Sequence, residues 1–162
     1  FPLHKSLRIP LNTIEWLRIN KPNIKLLFTW ADGMLGKPGY VYQAANFLFG
    51  GFILTDSYFT NYGEKIHPRS TSKIGGRPTK EKQKELGMKQ YFGKQFRYIY
   101  FLCGHSERKR ILKESTVIWS REYPKEKDLE WKTHAGEGSR VNCERPMFNG
   151  SVRFRDPAPL FE

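Results

Sequence analysis

The longest mostly apolar run of strand length, Ile24-Lys25-Leu26-Leu27-Phe28-Thr29-Trp30, predicts a strand in the centre of a sheet. Asp32-Gly33-Met34-Leu35-Gly36-Lys37-Pro38-Gly39 follows it, and three glycines and a proline in eight residues predict a loop. From Tyr40 to Phe49 the apolar side chains recur at helical spacing, and Gly50-Gly51 is placed to stop that helix. Phe52 to Thr60 alternates as a strand, Asn61-Tyr62-Gly63-Glu64 supplies a turn, and Lys65-Ile66-His67 starts a return strand. In the second half, Gln95 to Leu102 is the clearest strand.

Capping patterns predict shorter helices. Asn12-Thr13-Ile14-Glu15 places Glu three residues after an Asx cap, with Ile14, Leu17 and Trp16 turned inward and Pro22 ending the element after one or two turns. Thr79 caps Lys80 to Leu86, with Gly87 as the stop, and Ser106 caps a basic helix to Lys113. From Tyr123 onward proline, glycine and charge dominate, and Arg153 to Pro159 reads as an extended tail. No internal repeat is present. The sum is an α/β fold with a mixed sheet of α+β type: a core over residues 1–113 and a largely extended or loop-like extension over 114–162.

Composition narrows the class. The 162 residues suffice for one domain with a real core, and 15% aromatic content is too rich for a disordered chain. No apolar run approaches the ~18–20 residues of a membrane span. Two cysteines, Cys103 and Cys143, can build neither a disulfide scaffold nor a four-cysteine zinc site. His105 beside Cys103 has only Cys143 and the distant His134 to complete a metal site, so no metal is expected.

Charge points to a partner. The net charge is +12, and +10 of it lies between Glu64 and Lys113, where nine Lys and five Arg face four Glu. Such concentration favours a polyanion, bound with counterion release, over a merely solubilising surface. Arg69, Arg77, Lys80 and Lys84 are the candidate contacts to a nucleic-acid backbone. Gly75-Gly76-Arg77-Pro78 has the core of a minor-groove hook, but a single copy is a weak signal, and a turn leading into the Lys80 helix is the preferred reading, with the lysines still available to phosphates.

Several of these segments together resemble one family. Trp30-Ala31-Asp32, then Gly36-Lys37-Pro38-Gly39-Tyr40-Val41-Tyr42-Gln43-Ala44-Ala45-Asn46-Phe47, is similar to the signature of the Mom-type DNA modification proteins of bacteriophages. Gly63-Glu64-Lys65-Ile66-His67-Pro68-Arg69-Ser70 and Lys94-Gln95-Phe96-Arg97-Tyr98-Ile99-Tyr100 resemble the downstream blocks, so the likeness runs from about Asn12 to Leu102. Where the family often carries His after the first loop glycine, this chain has Lys37-Pro38.

The resemblance implies a relation to the GNAT-type N-acyltransferases and double-stranded phage DNA as partner, in the cytoplasm of a host bacterium. The implied product is adenine bearing a carbamoylmethyl-type group on N6, which protects DNA from restriction. It also implies an acyl donor such as acetyl-CoA, with Asn12 and Thr13 in the turn that holds its phosphates and Gly36 and Gly39 beside it. The chain begins at Phe1, and family members usually carry several dozen residues ahead of the first block, so the N-terminal part of the fold is expected to be missing.

Adenine N6 is a poor nucleophile because its lone pair is delocalised into the ring, so an enzyme must accept its N–H and position an electrophile. Asp32 is the candidate acceptor or base, or else a turn-forming Asp; Tyr42 is a candidate donor or stacking ring, or else a core aromatic. Tyr40, Gln43, Asn46 and His67 complete the candidate substrate set, the two amides because each offers a donor and an acceptor to an adenine edge. Two other functions stay open: a non-enzymatic DNA-binding or virion-associated protein, and a small-molecule N-acyltransferase.

Overall fold

The computed structural model describes residues 5–66, 71, 75–136 and 138–152, with the side chains of the first helix from Asn12 onward. His67 and Arg69 lie outside the described residues, as does the expected tail from Arg153. The chain forms two compact units, Phe1–Ile53 with Lys94–Leu129, and Leu54–Gly93 with Glu130–Glu162.

The first unit opens with helix α1, Lys5–Asn20. Asn12 and Thr13 therefore lie in mid-helix and do not cap it. Ile14 is buried as expected, but Trp16 is 53% exposed, because only one stripe of α1 meets the core. Strand β1, Leu26–Asp32, pairs antiparallel with the C-terminal half of strand β4, Met88–Phe101, from Leu26 opposite Phe101 to Asp32 opposite Gln95. That is the one ladder of β1 among the described residues. It is an edge strand rather than a central one, and its outer face leaves Phe28 49% exposed.

A 3-10 turn, Gly33–Leu35, follows β1. Helix α2 covers only Tyr40–Ala44, not Tyr40 to Phe49. It ends because Asn46 takes a left-handed conformation (φ 61°), which Asn tolerates better than most side chains, and turns the chain into strand β2, Leu48–Thr60. Gly50 and Gly51 consequently lie inside β2. Gly50 is required there, since a Cβ would come within 2.3 Å of the Trp119 ring. Helix α4, His105–Glu114, is capped two residues earlier than expected, at Gly104 rather than Ser106 and without a side-chain cap.

The alternation of β4 and β1 divides this unit's core between two faces. Ile14, Ala31, Ala45, Phe47, Phe96 and Tyr98 form one cluster, beside α1 and α2. Leu48, Ile99 and Phe101 form the other, against Ile111 and Leu112 of α4 and Trp119. Tyr98 and Phe96 are 0% and 1% exposed, and burying a side chain of that size contributes about 2–3 kcal/mol.

The second unit has its own core of Tyr58, Ile66 and Met88. The end of β2 and the short strand β3, Lys65–Ile66, form the expected hairpin through Phe59 opposite Lys65. Helix α3, Lys80–Glu85, starts as the sequence says, with the Thr79 hydroxyl accepting from the Lys82 N–H at 3.2 Å. The start of β4 pairs with β5, Trp131–His134, and β5 with β6, Arg140–Asn142, both antiparallel; β7, Ser151–Val152, runs parallel to β3. The segment after Tyr123 thus contributes three short strands rather than loop alone. The fold is a mixed α+β one built on antiparallel pairing, so the sheet is not the parallel type of doubly wound proteins.

Candidate active site

Where β1 ends, its last residue sets up the following loop. The Asp32 carboxylate accepts from the Met34 N–H at 3.0 Å and caps the 3-10 turn, which Gly36 closes in the left-handed region (φ 74°). The chain then passes Lys37 and Pro38 to Gly39, whose φ of 100° starts α2. Gly39 packs directly on the Tyr98 ring: a Cβ there would sit 2.5 Å from a ring carbon. The Tyr98 hydroxyl donates a short hydrogen bond to the Pro38 carbonyl and accepts one from Gln43 Nε2 at 3.0 Å. Burial pushes the Tyr98 phenol up to about 12, so it remains a donor through the physiological range.

This architecture shapes a cavity of about 530 Å³ lined by Trp30, Asp32, Gly36, Lys37, Tyr40, Tyr42 and Glu126, among others. Asp32 and Tyr42, separated by ten positions in sequence, therefore face one space. Tyr42 lines the cavity and packs at 5.4 Å against Phe47 and Tyr98, while its hydroxyl pairs with the Thr29 hydroxyl at 3.2 Å. Asp32 forms the turn, as one of its two sequence readings has it, and lines the same cavity. Tyr40 is 47% exposed at the rim, where the Lys125 ammonium lies 5.8 Å from its ring centre. Behind the wall, the Arg97 guanidinium lies 5.3 Å from the Trp30 ring centre.

Gly36 and Gly39 also line this cavity, whereas Gln43, Asn46, Asn12 and Thr13 do not. Gln43 turns its amide into the fold, with Nε2 donating to Tyr98 and to the Pro124 carbonyl, both at 3.0 Å, and Oε1 3.4 Å from Lys125 Nζ. Its amide is a strut between α2, β4 and the 115–129 segment. Asn46 lines a different cavity, with Arg18 and Arg121. Asn12 and Thr13 are exposed on α1, where backbone N–H groups serve the helix, so no phosphate-holding turn forms at them. At Gly39 the Tyr98 ring beneath leaves no room for a Cβ. Among the backbone-contact candidates, Arg77 is tied to Asp56 at 3.0 Å, whereas Lys80 and Lys84 stand exposed on α3.

Sequence reasoning missed Glu126 and Lys125. They reach the rim from a 3-10 turn, Glu126–Asp128, some eighty residues beyond α2, and no local pattern marks them. It also missed Trp30 as a wall, although its place two residues before Asp32 on a strand puts both on the same face. Among the described residues no group of His, Cys, Asp and Glu is arranged to hold a metal ion, and no helix is long and apolar enough to cross a membrane.

No curated protein and no solved structure matches the chain. A family model does: that of the Mom protein family, over residues 5–125, which takes in α1, the Asp32–Tyr42 cavity and the strand beneath it. The chain belongs to the Mom protein family.

Proposed function

We propose that this chain modifies phage DNA by transferring a carbamoylmethyl- or acyl-type group to the N6 amine of adenine, and that the Asp32–Tyr42 cavity receives the base. The observation that carries this reading is the convergence of a strand-end carboxylate and the aromatic side chains Trp30, Tyr40 and Tyr42 on one space of about 530 Å³. That volume falls within the range of small-molecule sites and admits a purine. A base taken out of the duplex costs a few kcal/mol, and stacking on aromatic rings returns about 1–3 kcal/mol.

In this reading the Asp32 carboxylate accepts an N6 hydrogen. The Met34 N–H binds Oδ1 and so orients the carboxylate at the end of the strand. As the new N6–carbon bond forms and the donor's bond to its leaving group breaks, the amine proton passes to Asp32. Tyr42, steadied by Thr29, borders the position of the leaving group. Lys37 and Lys125 at the rim attract backbone phosphates. In the second unit, Lys80 and Lys84 on α3 are separate candidates for such contacts. For an acyl product, acetyl-CoA would supply the electrophilic carbonyl carbon and leave as the thiol; a carbamoylmethyl product would need a donor whose electrophilic methylene carries both the amide and a leaving group. The phosphates of acetyl-CoA require a holder other than Asn12 and Thr13. Relation to the GNAT-type enzymes is part of this proposal, as is action on DNA inside the host cell.

The test is to express the full-length protein in bacteria, digest the DNA and separate the nucleosides by mass spectrometry. A modified deoxyadenosine absent from the empty-vector control is expected. Unmodified deoxyadenosine alone, with the protein folded and present, would contradict the reading.

A further inference from the structure

A second cavity in the first unit, about 410 Å³, is lined by Arg18, Asn46, Leu48, Ile99, Tyr100, Phe101, and then Cys103, His105, Arg108 and Arg121. Three guanidiniums and an imidazole from three separate segments converge on it, and none of its lining residues is acidic. Two of the arginines are held in place: Arg18 donates to the Tyr100 hydroxyl at 2.9 Å with its guanidinium 5.7 Å from that ring centre, and Arg108 lies 5.4 Å from the Phe101 ring centre. Stacking a guanidinium on a ring fixes its plane while leaving N–H donors at its edge. The amino end of α4, whose Gly104 provides no side-chain cap, opens at the same place through His105 and adds its partial positive charge. The acid of that first turn, Glu107, is engaged by Arg110 at 2.9 Å and does not line the cavity.

Like charges gathered without a counter-charge repel one another, so the arrangement suits an anion that enters from solution. Planar, preoriented guanidiniums match the oxygens of a phosphate, and the space exceeds a single ion. We propose that this cavity binds a phosphate group of a nucleotide, carried either by DNA or by a small nucleotide-type donor.

Its position is informative. Ile99 to Phe101 lie opposite Phe28 to Leu26, while the Asp32 cavity takes in Trp30 to Asp32 of the same strand. The centres of these segments are four residues apart on β1, or about 13 Å. A phosphate held here leaves the rest of an extended ligand within reach of the Asp32 cavity. The proposal does not depend on the group-transfer reading, since its probe contains neither adenine nor a transferable group.

The experiment titrates inorganic pyrophosphate into the full chain at low salt. It compares wild type with Arg18→Gln/Arg108→Gln/Arg121→Gln and with the charge-matched Lys21→Gln/Lys109→Gln/Lys113→Gln, which leaves the cavity intact. One saturable site is expected, weakened roughly tenfold or more by the arginine variant and less than about threefold by the lysine variant. Should the arginine triple variant not melt cooperatively, Arg121→Gln alone, at an exposed position, is expected to weaken binding at least about threefold. A duplex oligonucleotide then separates the two sources. If pyrophosphate displaces the duplex and the salt slope of duplex binding falls by about 0.9 per lost contact, the phosphate belongs to DNA. If duplex affinity holds while pyrophosphate binding is lost, it belongs to a small nucleotide. Absence of saturable pyrophosphate binding, or equal weakening by both triple variants, would overturn the proposal.

Discussion

Gly39→Ala tests how the cavity wall is built. Gly39 sits at φ 100° with the Tyr98 ring directly beneath it, and a Cβ would approach three of that ring's atoms to 2.5–2.8 Å. Left-handed backbone costs an L-residue about 1–2 kcal/mol. Tyr98 is fully buried and bound to Pro38 and Gln43, so its ring cannot withdraw, and forcing a methyl against it adds about 1–3 kcal/mol. Together these give a loss of about 3 kcal/mol, or roughly 6–12 °C in Tm for a chain of this length. Gly51→Ala separates the two contributions. Its φ is 78°, but nothing lies within 4 Å of its added Cβ, so only the backbone cost of about 1 kcal/mol applies. Calorimetry of both variants against wild type is the assay. A cycle with Tyr98→Ala should recover at least about 1 kcal/mol of the Gly39→Ala loss. Equal falls for the two glycine variants, or a Gly39→Ala loss below about 1 kcal/mol, would refute this account of the loop.

Other outcomes follow from the same contacts. The Tyr98 phenol is raised by burial from an ordinary value of 10.0 to about 12, so the folded state holds this proton more tightly than the unfolded chain. Its share of stability, about 3 kcal/mol, is present below pH 10 and lost as the pH rises toward 12, so wild-type Tm should fall more steeply over that window than that of Tyr98→Phe. At neutral pH, Tyr98→Phe should cost about 1–3 kcal/mol by denaturant titration, since the Pro38 carbonyl loses its buried donor. Thr79→Ala removes the cap of α3 and should lower local protection by about 1 kcal/mol, read as faster amide exchange over Lys82 to Leu86, with the rest of the chain unchanged. Lys80→Gln/Lys84→Gln should reduce the salt slope of duplex binding by up to about 1.8, measured by anisotropy.

Local chemistry was legible in the sequence, and distant packing was not. The Thr79 cap, the Asn61–Glu64 turn and the Asp32–Gly39 loop are encoded within a few residues each, and the structure contains all three. Helix α2 was overextended because Tyr42, Ala45 and Phe49 do fall at helical spacing, yet Asn46 turns left-handed and sends Leu48 into a strand. What holds Gly50 in that strand is Trp119, seventy positions away, which no window around Gly50 reveals. The start of α1 was misplaced for the opposite reason: Asn12 and Glu15 offer a cap that the longer helix overrides. Gln90, buried in β4, looks out of place until its amide is seen donating to Asp56 at 2.7 Å and facing His134 at 3.1 Å. The site divides similarly. Asp32, Tyr40 and Tyr42 come from one stretch of sequence, whereas Glu126 and the arginine-lined cavity exist only after folding.

The central claim is that the Asp32 cavity handles the adenine to be modified. Asp32→Asn keeps an oxygen for the Met34 N–H, so the turn and the Tm should change little, while the negative acceptor is removed. Its direct measure is the yield of modified deoxyadenosine in DNA from cells making wild type or Asp32→Asn at matched levels of folded protein. Modification with the wild type and a fall of at least about a hundredfold in the variant is expected. Equal yields from both would place the chemistry elsewhere in the protein.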